Sequence, residues 1–421
     1  MKKRILALSL AAAMLVGAMA SCNAKEEVVS SAVEARDISL VLWGSENDQD
    51  FLKSTSAEWA TKYAEANADV KSVTVDVQIV GEGDSKGTAL NDLDAAADVF
   101  GVASDAVGDL VNATAIYKMP DSIANEIKNV ATDATYSASL FDGSCYGFPY
   151  TTNTAEIMFY NKSMFNEDEV KSLNTILDKD LGEGVTNLVV DFNSGWNGMT
   201  WFATGGAELY TGGDTKVNTL NKPEAAEVLK YMQAKFAEKK VIDTDSNDSA
   251  AGLLKDGAAA ALFYGSWSKG SFSDALGDNY GVAELPSLTI EGTSITDAHL
   301  KCFGGNKMLV IKATTKEPEA ALDLAQYITS EENQLKRFEA VGMLPAAKSA
   351  ASNSAVTADP SIAAEVAQSA YVLNSTSAVG ASGWWAESGG LLGDIMTGTI
   401  AADDIQGKLD TLVETMQANF A

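Results

Sequence analysis

Apolar positions along this chain follow two alternating rhythms. In "DISLVLWGS" (37–45) valine, isoleucine and leucine run almost unbroken to Gly44, which predicts a buried strand. The period then changes: Leu52, Trp59 and Tyr63 recur at helical spacing, with Asp48 or Asp50 placed to cap the helix and Trp59 to face the core. "VTVDVQIV" (73–80) and "AADVFGVAS" (96–104) predict two more strands. Strand–helix–strand–helix–strand is the order of an α/β lobe.

The theme recurs further on. "AEIMFYNKSMF" (155–165) is strand-like, and "GAAAALFYGSW" (257–267) reads as a helix stop followed by a strand. In "NKPEAAEVLKYMQAKFAEKK" (221–240) Pro223 suits a first helical turn, and Ala225, Val228, Leu229, Met232 and Phe236 make one apolar stripe. "EPEAALDLAQYIT" (317–329) starts another helix at Pro318.

The first 21 residues obey neither rhythm. Lys2, Lys3 and Arg4 precede an apolar stretch over residues 5–20, the layout of a secretory signal peptide. The stretch is short beside the about 20 apolar residues of a membrane span. "MASC" (19–22) is similar to a lipobox, with Met19 where leucine is usual, so Cys22 is the expected lipidation site; an ordinary signal cleaved nearby is the alternative. Residues 22–36 are polar and without aromatics, and read as a tether. About 385 residues remain, enough for two lobes.

Charge narrows the partners. With 30 Lys and Arg against 58 Asp and Glu the formal net charge is −28, and it falls by three to −31 once Lys2, Lys3 and Arg4 leave. Only Arg36 and Arg337 then remain as arginines, which disfavours nucleic acid and phosphorylated ligands alike. Cys145 and Cys302 can pair or stay as packed thiols. His299 is the single histidine, too little for a Cys/His metal site or a histidine-based triad, and no metal or cofactor is expected.

Familiar motifs fail on inspection. "VGEGDSKG" (80–87) spaces its glycines as GxGxxxG and lacks GK[ST], so it reads as a solvated turn. "DTDSNDSAAGLL" (243–254) begins like a calcium loop but has Asp248 in place of the turn glycine and Leu254 in place of the bidentate glutamate. There is no GxSxG, and carboxylate pairs are too common in so acidic a chain to single out a hydrolase.

What stands out is the setting of the tryptophans. Trp267 ends a strand in "FYGSWS", Trp196 sits in "FNSGWNGM", and Trp384 and Trp385 share the glycine-flanked stretch "SGWWAESGG" (382–390), read as a loop. An indole offers an apolar face and one polar N–H, which suits ligands with apolar faces and polar edges, as pyranose sugars have.

At these residues the chain resembles the extracellular solute-binding proteins of carbohydrate ABC importers, the group that includes the maltose/maltodextrin-binding proteins (family 1). The resemblance spans nearly the whole exported chain and rests on the order of "ISLVLWGSENDQ", "DVFGVASDAVGDLV" (98–111), "GFPYTTNTAEIMFYNK" (147–162), "LLKDGAAAALFYGSW" (253–267), "GMLPAAKSA" (342–350) and "GWW". It implies an α/β, two-lobe periplasmic-binding-protein-like fold with a hinge and an interlobe ligand cleft. The lobes are expected at 37–153 plus 302–345 and at 154–301 plus 346–421. It implies that Asp105 and Glu46 offer carboxylates to sugar hydroxyls and that Asn153 lies just past the first crossover. Trp196, Trp267 and Trp385 would stack on the ligand, with Trp384 supporting its neighbour; Trp384 and Trp43 complete the candidate set. Val102 stands where maltodextrin-binding members often carry an aromatic, and Asn153 where a carboxylate is common; both departures bear on which oligosaccharide is bound.

The expectation is a monomeric, non-enzymatic lipoprotein on the outer face of the cell membrane, binding a neutral oligosaccharide, foremost a maltooligosaccharide, for an ABC permease. A surface lectin or adhesion module, a secreted carbohydrate-active enzyme and a binding protein for a non-sugar solute are the rivals.

Overall fold

The structure is a computed structural model. It describes residues 35–419 except 211–216, 245, 376–378, 380 and 381, with backbone alone at 153, 154 and 374. The signal peptide, Cys22 and the tether as far as residue 34 lie outside the described residues.

One ten-stranded sheet runs through the molecule. Its order is Val70–Ile79, Arg36–Gly44, Val99–Ala103, Cys302–Ile311, Phe148–Asn161, Ala259–Gly265, Thr186–Val190 and Val241–Asp243, with Tyr280–Ala283 beside Phe148–Asn161 and Val372–Asn374 beside Cys302–Ile311. The outer strands on each side are parallel, as strands joined through helices must be. Both central strands, Phe148–Asn161 and Cys302–Ile311, pair antiparallel with each other and with Ala259–Gly265 and Val99–Ala103 outside them, while the short Val372–Asn374 joins Cys302–Ile311 in parallel.

Those two strands carry the chain between separate cores. Phe148 and Tyr150 pack with Leu40, Trp59 and Leu324, whereas Ala155, Met158 and Tyr160 pack with Phe202, Leu229 and Trp384. Likewise Cys302 and Phe303 belong to the second core, and Met308, Leu309, Val310 and Ile311 to the first side. The polypeptide thus crosses twice through one ribbon, the geometry of a hinge. The fold is α/β, and the two thiols are free and buried, Cys145 in the first core and Cys302 in the second.

Local chemistry explains most elements. The helix Pro223–Ala237 has Pro223 in its first turn and buries Ala225, Val228, Leu229 and Met232, while Phe236 stays half-buried. Trp59 is buried in the helix Gln49–Ala66, and its indole N–H donates to Asp323 Oδ1 at 2.6 Å. Two expectations are corrected. Asp48 precedes that helix without capping it, because its carboxylate is taken by Arg337. The stretch 384–390 is no loop: it opens the helix Trp384–Met396, with Gly383 at φ 87° just before it.

Gly389 is helical for a packing reason. A Cβ there would lie 2.2 Å from the carbonyl oxygen of Asn193, and one on Gly195 would lie 2.2 Å from Ser388 Oγ. These glycines let the helices Gly195–Thr204 and Trp384–Met396 approach closely, each bringing a tryptophan at its first turn.

Candidate functional site

A cavity of about 610 Å³ opens between the two cores, at the carboxyl ends of the first three parallel strands. Open α/β sheets favour this position for ligands, because loops leaving the strands splay apart there. Its walls include Ser45, Asn47 and Asp48 after the first strand, Glu82 after the second and Asp105 after the third. Gly304, Gly305, Asn306 and Lys307 of the second crossover strand form part of the floor.

Trp196, Trp267 and Trp385 face this cavity together. Ser194 caps the helix Gly195–Thr204, its hydroxyl accepting from the N–H groups of Trp196 and Asn197, which fixes the turn that presents Trp196. The Trp196 and Trp267 rings meet edge to face, centroids 4.9 Å apart, and form a corner. Trp385, 39% exposed, lies tilted against Phe303 at 5.8 Å. Asp105 stands opposite and accepts a hydrogen bond from Ser375 Oγ at 3.1 Å; burial lifts its carboxyl above the ordinary range.

The other expected residues fall elsewhere. Trp384 is fully buried and does not line the cavity; its indole N–H donates to the carbonyl of Gly195 at 3.0 Å, so it braces the turn that carries Trp196. Trp43 is buried against Phe100 and donates to Gln78 Oε1, pointing away from the cavity. Glu46 is exposed and off the lining, although its neighbours Ser45 and Asn47 are on it. Asn153 lies within the strand Phe148–Asn161, its side chain outside what is described.

An ion network beneath the cavity escaped the sequence reading. Asp48 accepts two hydrogen bonds from Arg337, at 2.9 and 2.8 Å, with both side chains buried. Arg337 also lies over the Tyr150 ring, 4.2 Å from its centroid, and donates to Thr151. The Tyr150 hydroxyl donates to Glu82, and Lys307 Nζ stands 3.3 Å from the same carboxylate. Burial pushes Glu82 up, but Lys307, the Tyr150 hydroxyl and Arg337 outweigh it and hold the carboxyl at about 2. The stretch read as a solvated turn therefore holds a buried, ionised glutamate. Arg337 was the available clue, as one of only three arginines in the chain.

Deeper on the Trp267 side two carboxyls are displaced the other way. Burial raises Glu156 to about 8, with Asp191 adding to it and a 2.5 Å hydrogen bond from Thr200 opposing, and burial raises Glu365 to about 8 as well. Among the described residues no group of histidine, cysteine and carboxylate side chains is placed to hold a metal.

Comparison with known proteins agrees with this geometry. A family model described as bacterial extracellular solute-binding protein matches residues 58–364. The galactooligosaccharide-binding protein of Bacillus subtilis (strain 168) is 26% identical over 419 residues, covering 96% of this chain and 94% of its own. Among solved structures, one determined with acarbose is 28% identical with a TM-score of 0.82, covering 91% of this chain and 99% of its own. The maltodextrin-binding protein MalE1 from L. casei BL23, solved without ligand, is 26% identical with a TM-score of 0.76, covering 90% and 98%.

Proposed function

The chain belongs to the bacterial extracellular solute-binding protein family, and from that premise we propose that it binds a neutral oligosaccharide, foremost a maltooligosaccharide, and delivers it to the permease of an ABC importer. One observation carries the reading: three indole rings and one hydrogen-bonded carboxyl face a cavity in which each lining cation already has a carboxylate partner. Lys86 pairs with Asp109 at 2.8 Å, Lys307 with Glu82 at 3.3 Å and Arg337 with Asp48 at 2.8 Å. An anionic ligand would meet no spare countercharge in these pairs. A sugar needs none: its C–H faces stack on Trp196, Trp267 and Trp385, and its hydroxyls bond to Asp105 and neighbouring polar groups.

Closure of the lobes 37–153 plus 302–345 and 154–301 plus 346–421 about the crossover strands would enclose the ligand. Cys22 would carry the lipid anchor, holding a monomer at the outer face of the cell membrane. The machinery is that of binding, with no catalytic step assigned to any residue. A second reading, a galactooligosaccharide as ligand, is favoured by the relative that matches along nearly its full length.

Calorimetric titration against maltotriose to maltoheptaose, galactooligosaccharides, and xylo- and manno-oligosaccharides tests both. Heat with the first group supports the principal reading, and heat with the second alone supports the other. A response to xylo- or manno-oligosaccharides alone refutes both substrates, and silence across the panel with folded protein refutes sugar binding.

A further inference from the structure

Lys307 sits where the second crossover strand is irregular. Its pairing with Phe148–Asn161 shifts register on both sides of Lys307, between Gly305 and Lys307 and between Lys307 and Met308. Such a bulge redirects a side chain out of the regular pleat. On its other edge Lys307 is held in register with Ala103, so its backbone is fixed from both sides.

The redirected chain reaches two groups. Nζ is 3.3 Å from Glu82 Oε2, and the same ammonium stands 5.5 Å from the centroid of the Trp267 ring. A cation at that distance over an indole face is attracted by the ring's quadrupole. The ring is bounded on further sides: Trp196 meets it edge-on, and a Cβ on Gly265 would fall 2.2 Å from its Cζ2. Glu82 anchors the ammonium and is itself held by the Tyr150 hydroxyl, whose ring lies under Arg337, so the chain of contacts runs from the buried ion network to the rim of the cavity.

We infer that Lys307 is a positioning residue, which fixes the plane of Trp267 from the hinge strand and so preforms the face on which the ligand stacks. The inference rests on the proposed reading that a sugar stacks on Trp267. Lys307 acts through the ring and makes no bond to the ligand. It also links the ion network around Glu82 to a ring that follows the strand Ala259–Gly265, so the attitude of Trp267 follows the position of the crossover strand.

The test is a double-mutant cycle between Lys307 and Trp267. Lys307→Met should weaken binding of the responding glycan about 3- to 10-fold, the range of a partly desolvated cation–π contact. Lys307→Arg should restore it to within about twofold, since a guanidinium also sits on an aromatic face. In a Trp267→Phe background the further change Lys307→Met should cost less, because a phenyl ring attracts a cation more weakly than an indole. Ligand-free tryptophan emission should shift in Lys307→Met and stay unchanged when the same substitution is made in Trp267→Phe.

Lys307→Met leaves Glu82 without its cation, so the cycle is repeated with Lys307→Met/Glu82→Gln, which removes both charges. The same emission shift there supports the inference. Equal losses of affinity in both Trp267 backgrounds would show direct contact with the ligand and overturn it, as would unaltered emission in a folded variant. If the parent protein binds no glycan, the function reading fails, while the emission cycle on the ligand-free protein still decides the role of Lys307.

Discussion

Replacing Glu156 by glutamine should change how stability depends on pH. Glu156 lies buried on the first crossover strand, opposite Gly265 in register, and accepts from Thr200 of the helix that carries Trp196. Glutamine keeps the volume and an acceptor for Thr200 but cannot ionise. Burial holds the carboxyl at about 8 in the folded protein, against 4.5 for the free side chain. Between those values the folded state keeps a proton that the unfolded state has lost. Stability from this group is therefore fully present below pH 4.5 and is lost as pH rises through 8. Each pH unit inside that window is worth about 1.4 kcal/mol. From pH 5.5 to 7.5 the parent should lose about 2–3 kcal/mol relative to Glu156→Gln. Glu365 titrates alike in both proteins and cancels from the difference. Urea unfolding of the two proteins at half-unit steps from pH 5 to 8 measures it. Parallel stability curves would show that Glu156 is already ionised in the folded state, and the argument from burial would be wrong.

The tryptophan pair should separate cleanly. Trp385→Ala should fold with melting temperature near the parent's and bind the responding glycan at least about tenfold more weakly, by titration, since an aromatic contact is worth on the order of 1 kcal/mol beyond its area. Trp384→Ala should cost about 3–5 kcal/mol of stability, the range for emptying a buried aromatic site, as read by denaturant unfolding. Arg337→Met should destabilise by about 3–5 kcal/mol because Asp48 is left buried without its partner, and Asp48→Asn combined with it should recover part of that loss. Gly389→Ala should lower the melting temperature, since its Cβ would meet the Asn193 backbone at 2.2 Å; a neutral result would mean that the two helices separate at little cost.

Much of the fold was legible because its elements are periodic. The buried strands around Leu40, Val99 and Leu262 show as apolar runs, and the stripe on Pro223–Ala237 shows as a helical repeat. The helix at Trp384 was hidden because Gly383, Gly389 and Gly390 read as turn signals, although Gly389 serves helix packing. At the site, the setting of Trp196, Trp267 and Trp385 among small residues was visible locally. Direction was less so: Trp43 ends the same strand as the cavity loop, but neighbouring residues in a strand point to opposite faces. The ion network had no local trace, since Asp48 and Arg337 meet across 289 positions and Glu82 and Lys307 across 225. Such pairs depend on how the sheet assembles, which hydrophobic pattern does not encode.

Adjacent residues in an α-helix are turned by about 100° from each other. This is why Trp384 enters the core while Trp385 looks into the cavity, although one peptide bond joins them. The angle at which Trp385 projects is then set at a distance, by Ser388, Leu392, Ile395 and Met396, whose burial fixes the rotation of the whole helix. A one-residue deletion between Trp385 and Leu392 would leave every contact residue of the cavity in the chain. It would nevertheless swing both rings round by a quarter-turn or so, with the wrong indole facing outward. Insertions and deletions in this helix thus exchange the ring that faces the cavity at a stroke, whereas single substitutions in the lining alter one side chain at a time.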